Sequence, residues 1–433
     1  QSPTRWVFAL KRGVLFHDGS ELTSRDVVAT FNRAHRLKNN AYKYLKGSTV
    51  TALDTYRFQV DTEAARSELL WSLEGVFVIK HTAEKADSDA FNNGSQLIGT
   101  GPYQLVQRKG FKQLTLKAFP DYHRGVAFIR NVSFQSEADV DKRVQAFLRG
   151  EADLIDALTS EQLSKLSGKA NITNLISSML YFMTPDLHRD SSPDIRDNNG
   201  DLMQKNPLKD LRVRQAISKA IDREKLIRDY FGKDSLSQPA GQLVNKVNKN
   251  YSPAMRPDKQ NLMAARKLLK EAGYPDGFRI TLRDKDARRG LIELIANMLK
   301  EVGIKVQIET FPPSQFFPRA LDHEYSLIHS GYTTDGNLAE MLQQLFYTEI
   351  RGNIGRYSNV ELDQQIDKAM EQTSTTRKRR ELRKAQEMAI RDLAIIPIMF
   401  PQSSWATRPD MVFKPTDQTY TEAYYVEPLL DTH

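Results

Sequence analysis

The chain has 433 residues, 40% hydrophobic and 27% charged, with a formal net charge of +8 and no cysteine. That length exceeds one compact domain and predicts two or three lobes. The missing cysteines exclude disulfides, thiol chemistry and cysteine-based metal clusters, and no apolar run approaches the roughly 18 residues of a membrane-spanning helix.

In chain order, Trp6, Phe8 and Leu10 alternate as a half-buried strand requires. Asp18-Gly19 predicts a tight turn and Ser24 a cap for a helix beginning near Arg25, with Val27, Val28 and Phe31 as its apolar stripe. Period-two apolar placement at 55–61 and 112–119, with 131–135, predicts further strands. Residues 139–150 predict a helix closed by Gly150, and the polar stretch 190–201 an exposed loop.

Between 211 and 227, Val213, Ala216, Ile217, Ala220 and Ile221 form one helical stripe. Pro239, Gly241, Pro253 and Pro257 then break the pattern, and the first crossing between lobes is expected near there. From 260 to 310 the order helix, Gly273, strand, helix, Gly303, strand is that of a βαβ unit. Two more helical stretches fill 359–393, and an irregular aromatic tail is expected from 404 on.

Basic residues are scattered among acids along the whole chain. The densest run, TRKRREL at 376–382, reads first as a solvated helix face, so no nucleic-acid partner is expected. No Gly-x-Ser-x-Gly elbow, Walker loop or HExxH helix is present, and none of the eight histidines stands three or four residues from another. An enzyme is not expected, and neither is a cofactor. GTGPY at 99–103 reads as a structural turn, because Pro102 removes a backbone donor that a phosphate cradle needs. DHEYSLIHSGYTTD at 322–335 predicts a strand over Tyr325–Ser330 and a Gly-aromatic turn beyond it. Ligands of open α/β sheets bind beyond the carboxyl ends of the strands, where this turn would lie.

Several segments in fixed order resemble one family. They are WVFALKRGVLFHDGSELTSRDVVATF at the start, LIGTGPYQL, FPDYHRG, LRGEADLID, PLKDLRVRQAISKAIDREKLI, KLLKEAGYPDGFRITL, YSNVELDQQIDKAM and AIIPI. The chain resembles the family 5 extracellular solute-binding proteins, the dipeptide-, oligopeptide- and nickel-binding receptors of bacterial ABC importers. His123 stands where the family usually has Trp.

The resemblance implies an α/β, two-lobe periplasmic-binding-protein fold of the class II, cluster C-like type, with a ligand cleft between lobes. Lobe I is expected over 1–240, lobe II over 241–400, and a return segment to lobe I over 401–433. It implies a monomer that captures a short peptide by hinge closure and delivers it to permease subunits, in the periplasm or outside the cell, membrane-associated through the transporter. The chain opens in a signature that family members reach only after several dozen mature residues, so a truncated start without its signal segment is expected.

For the site, the resemblance carries the ammonium-binding aspartate onto Asp335 of GYTTD, with Tyr332 in the usual Trp position, and the carboxylate-binding arginine onto Arg319. A cap for the following helix is the other reading of Asp335, and an exposed surface residue that of Arg319. Tyr103, Tyr332, Phe346 and Trp405 could line a stacking-capable cleft, although core is the commoner role of such residues. Two alternatives stay open. One is a nickel–metallophore ligand held partly by a lone histidine. The other is the ligand-sensing half of a transcriptional regulator.

Overall fold

The computed structural model describes residues 4–39, 41–63, 69–110, 112–285, 288–334, 337–372, 374–416 and 420–429. Near the start, strand Arg5–Ala9 pairs antiparallel with Arg57–Thr62, which pairs with Ser48–Ala52. Trp6, Phe8 and Leu10 pack onto a core of Val27, Phe31, Phe58 and Val60. Helix Ser24–Leu37 presents that stripe, but its cap is Thr23, not Ser24. The Asp26 carboxylate reaches back to the Thr23 amide at 2.8 Å, which frees the Ser24 hydroxyl to bond the Asp54 carbonyl.

Strands Tyr103–Lys109, Gln113–Ala118 and Asn131–Gln135 make a second antiparallel sheet. Helix Val140–Arg149 ends at Gly150, whose φ of +82° is the left-handed closing conformation. It packs with Ile155 and Ala406 of a third sheet, ordered Leu154–Asp156, Gln402–Thr407, Asn171–Ile176. The tail is less irregular than expected, since Met411–Phe413 and Val426–Pro428 form a ribbon.

The largest sheet among the described residues has seven strands, ordered Ile195–Arg196, Phe278–Lys285, Leu327–Thr333, Met179–Pro185, Ile396–Phe400, Gln238–Pro239, with Ile304–Phe311 also paired to Phe278–Lys285. The 278–285 strand runs parallel to both 304–311 and 327–333, and the βαβ unit is as expected. Alternation along Met179–Pro185 sends Met183 to one core and Leu180 and Phe182 to another. Helices Leu211–Ala220, Arg223–Phe231, Leu262–Glu271 and Arg289–Lys300 cover the first face. Leu338–Phe346, Val360–Met370 and Thr375–Arg391 cover the second.

Two expectations change here. The 190–201 stretch is not simply an exposed loop, because Ile195 is fully buried at the edge of the large sheet. The expected boundary at 240 falls inside that sheet, which the chain enters at Met179. Pro239 sits in an edge strand, where a missing amide is tolerated. Gly241 marks a close approach instead of a crossing, since a Cβ there would lie 2.3 Å from the Pro257 nitrogen. The chain passes between the third sheet and the large one twice, side by side. Ile176 pairs with Gln402, and the Ser177 amide donates to the Pro401 carbonyl at 2.9 Å.

Candidate functional site

Three parallel strands end at Lys285, Phe311 and Thr333, so the connections after them gather at one edge of the large sheet. The last of these reaches the double crossing. Thr333 pairs with Met179, and the Thr334 hydroxyl lies 3.4 Å from the Ser178 carbonyl. Gly331 permits the close packing there, because a Cβ would meet the Tyr181 ring at 3.0 Å and the Met179 sulfur at 3.1 Å.

Charge concentrates at the same edge. Asp284 and His329, both fully buried, share a hydrogen bond of 2.6 Å. Arg288 lies 3.0 Å from the other Asp284 oxygen, with its guanidinium 4.7 Å from the Tyr181 ring centroid. Burial pushes His329 below the ordinary histidine range, so its neutral ring donates from Nδ1. Burial pushes the Asp284 carboxyl up, but His329 and Arg288 outweigh that and hold it low. On the other face Arg283 pairs with Asp194 and, at 2.8 Å, with Glu309. Lys285 packs over Phe317, 4.9 Å from the ring centroid, and burial together with the Arg288 charge lowers its ammonium to about 8.

Asp284 and His329 are wholly buried and Arg288 and Arg283 nearly so, so these groups pair mainly with one another beneath the strand ends. Among the described residues no three His, Asp or Glu side chains converge as a metal site. Asp284, Lys285, Arg288 and His329 did not stand out in the sequence. The signal was the dense RDKDARR run where a βαβ strand ends.

The expected site residues divide between regions. Asp335 lies outside the described residues, and the helix after it is capped by Asn337, which accepts from the Glu340 amide at 3.2 Å. Tyr332, on the strand that leads to that turn, packs half-buried against the second core. Arg319, in helix Pro313–Leu321, binds Glu324 at 2.6 Å and stacks over Phe311 and Tyr325. Tyr103 belongs to the second sheet. Its hydroxyl donates to the Ile129 carbonyl at 2.9 Å, and burial pushes it up to about 12. Trp405 is a correction: it is 1% exposed, its indole N–H donates to Thr421 at 2.9 Å, and its ring meets Phe413 edge-on. Phe346 is likewise fully buried, and both rings serve the core because helix or ribbon covers their faces.

The Gly99–Gly101 turn is structural. His17 accepts from the Gly99 amide at Nδ1 (3.2 Å) and donates from Nε2 to the Gly101 carbonyl (3.0 Å). Burial lowers its pKa, which keeps the ring neutral and Nδ1 free to accept.

Residues 1–353 match the sequence profile described as bacterial extracellular solute-binding proteins, family 5 Middle. The chain is 24% identical over 417 residues to the glutathione-binding protein of Salmonella choleraesuis, covering 91% of this chain and 77% of that protein. It is 25% identical over 468 residues to the dipeptide-binding protein of Escherichia coli K12, covering 99% and 82%. Among solved structures, the ABC transporter substrate-binding protein CtaP of Listeria monocytogenes superposes with a TM-score of 0.82 at 22% identity, over 98% of this chain and 88% of that one.

Proposed function

Because the chain belongs to the bacterial extracellular solute-binding proteins of family 5, we propose that it captures a short peptide between two lobes and delivers it to the permease of an ABC importer. It is a binding protein and not an enzyme. Residues 4–176 and 402–429 make lobe I and 179–400 lobe II, with the paired segments at 176–179 and 400–402 as the hinge. The protein works outside the cytoplasm as a monomer, held at the membrane through its transporter.

The observation that carries this reading is the meeting of the Leu327–Thr333 strand end with the double crossing, through Thr333–Met179 and Thr334–Ser178. In this reading Asp335, next along that turn, accepts the ligand's α-ammonium, and Tyr332 is part of the same wall. Arg319 holds Glu324 through Nε and offers the rest of its fork to the ligand carboxylate. Tyr103 and Trp405 are not assigned to the ligand. The dipeptide-binding relative supports the substrate class.

Removing one partner of a desolvated charge pair typically costs about 2–5 kcal/mol. Asp335→Asn is therefore expected to weaken binding of peptides with free N-termini at least tens of fold, and to matter far less for N-acetylated ones. Calorimetry of both ligands against both proteins reads this directly. Equal losses, or none, would remove the ammonium role. Native mass spectrometry of gently purified protein is expected to show a peptide adduct, and a nickel-containing adduct would move the reading to a metal complex.

A further inference from the structure

The basic run at 376–382 forms one wall of a groove of about 480 Å³, with Ser252 opposite Thr376, Arg379, Arg383 and Lys384. Arg379 and Arg383 stand one turn apart on the Thr375–Arg391 helix, and like charges at that spacing oppose each other. The most buried acid of this helix is engaged elsewhere. Glu381, 1% exposed, takes Arg380 at 2.8 Å and Lys384 at 3.3 Å. Glu387 at the groove edge forms no ion pair among the described residues, and neither do Arg379 and Arg383. The buried Nε of Arg383 also has no hydrogen-bond partner among them.

Arg383 does donate to the Lys249 carbonyl at 2.7 Å, which brings the 246–249 loop beside the groove. At the tip of that loop Val247 is 78% exposed, between the exposed Lys246 and Lys249. An acidic protein patch would satisfy the arginines but would leave this aliphatic tip between two ammonium groups without a role. An anionic bilayer surface takes both, with phosphates against the Arg379 guanidinium and the remaining Nη1 of Arg383, and the valine in the headgroup layer.

We propose that this face rests on an anionic phospholipid surface, with lipid phosphates in the Arg379–Arg383 groove and Val247 inserted beside them. The proposal uses none of the ligand-turn residues and stands whatever the cleft binds. Each basic residue near such a surface strengthens binding about fivefold, and the attraction fades within a Debye length.

The test is co-sedimentation of the full chain with phosphatidylcholine vesicles, with and without phosphatidylglycerol, at low and high salt. Binding is expected only with phosphatidylglycerol, and salt is expected to weaken it. The double variant Arg379→Gln with Arg383→Gln should bind about twenty-five-fold more weakly, as two such residues imply. Val247→Asp should also weaken binding, while Lys270→Gln with Lys300→Gln, the same change in net charge elsewhere, should not. Equal loss in the two double variants would reduce the effect to overall charge and overturn the proposal. Binding to both vesicle types or to neither would overturn it too. So would calorimetric binding of inorganic phosphate in the groove without vesicle binding, which would assign the site to a soluble anion.

Discussion

Around the seven-stranded sheet, helices seal both faces, and Ile280, Leu282, Ile292 and Ile396 belong to one continuous core. The three-stranded sheets hold several smaller, separate cores, one around Phe31 and Val60, one around Val144 and Phe147, one around Trp405. Polar ties join these pieces: His17 to Gly99 and Gly101, Tyr103 to Ile129, Trp405 to Thr421. The large-sheet half therefore packs around extended cores that also hold buried polar ties, such as Arg223 to the Pro397 carbonyl at 2.7 Å, and the small-sheet half joins modest separate cores through hydrogen bonds. A stable body with a more locally tied partner suits rigid lobes that move about a double crossing.

The largest effect that separates the halves is expected from Leu282→Ala. Leu282 is fully buried between Phe278 and Asp284 of the large sheet. Truncating such a leucine costs about 2–5 kcal/mol, and urea unfolding should show that loss in the 179–400 half. A loss under about 1 kcal/mol would mean that this core relaxes around cavities, against the dense interior expected of it.

Gly277→Ala comes next. A Cβ there would lie 2.1 Å from the Gly303 carbonyl oxygen, at a φ of +71°. Backbone meets backbone with no flexible side chain to yield, so a loss of at least about 1–3 kcal/mol is expected. An unchanged unfolding midpoint would mean that the two glycine turns are not in contact.

In the other half, Tyr103→Phe removes the hydroxyl that serves the Ile129 carbonyl and leaves that acceptor unpaired. The expected cost is about 0.5–1.5 kcal/mol, with faster hydrogen exchange confined to the neighbouring sheet. Exchange that rises equally across the large sheet would break the distinction between the halves.

The smallest effect is a pH dependence. Burial sets the His17 pKa below its unfolded value, so its stabilisation is complete above about 6.5 and is lost as pH falls through the lowered value. Protonation takes Nδ1 away from the Gly99 amide. Amide exchange at Gly99 should therefore accelerate on acidification, and His17→Gln should flatten that dependence. His329, also lowered by burial, acts with the same sign in the other half, so the local Gly99 readout is what distinguishes them.

Much of this was legible in sequence because it is local. The βαβ rhythm at 260–310 and the closing Gly150 follow from periodicity and from backbone freedom at one residue. The first passage, at 176–179, was not legible, because Ser177 and Ser178 carry no proline or glycine break, while Pro239 and Gly241 do so inside a sheet; the return was expected from 401 on. Of the candidate site, the strand leading into GYTTD could be read from its alternation, although it runs on through Thr333 where a turn was expected from Gly331, and Asp335 lies outside the described residues. The Asp284–His329–Arg288 cluster could not, since its members meet only when two strands and a helix start are brought together. Trp405 shows the limit of reading aromatics singly: whether a ring faces a cleft or a core depends on what covers it.

Closure about the double crossing is the central claim, and small-angle scattering with and without a bound peptide tests it most directly. The radius of gyration is expected to fall when peptide is added, as two lobes joined at 176–179 and 400–402 close. An unchanged radius of gyration, with calorimetry showing the same peptide bound in the same buffer, would contradict it.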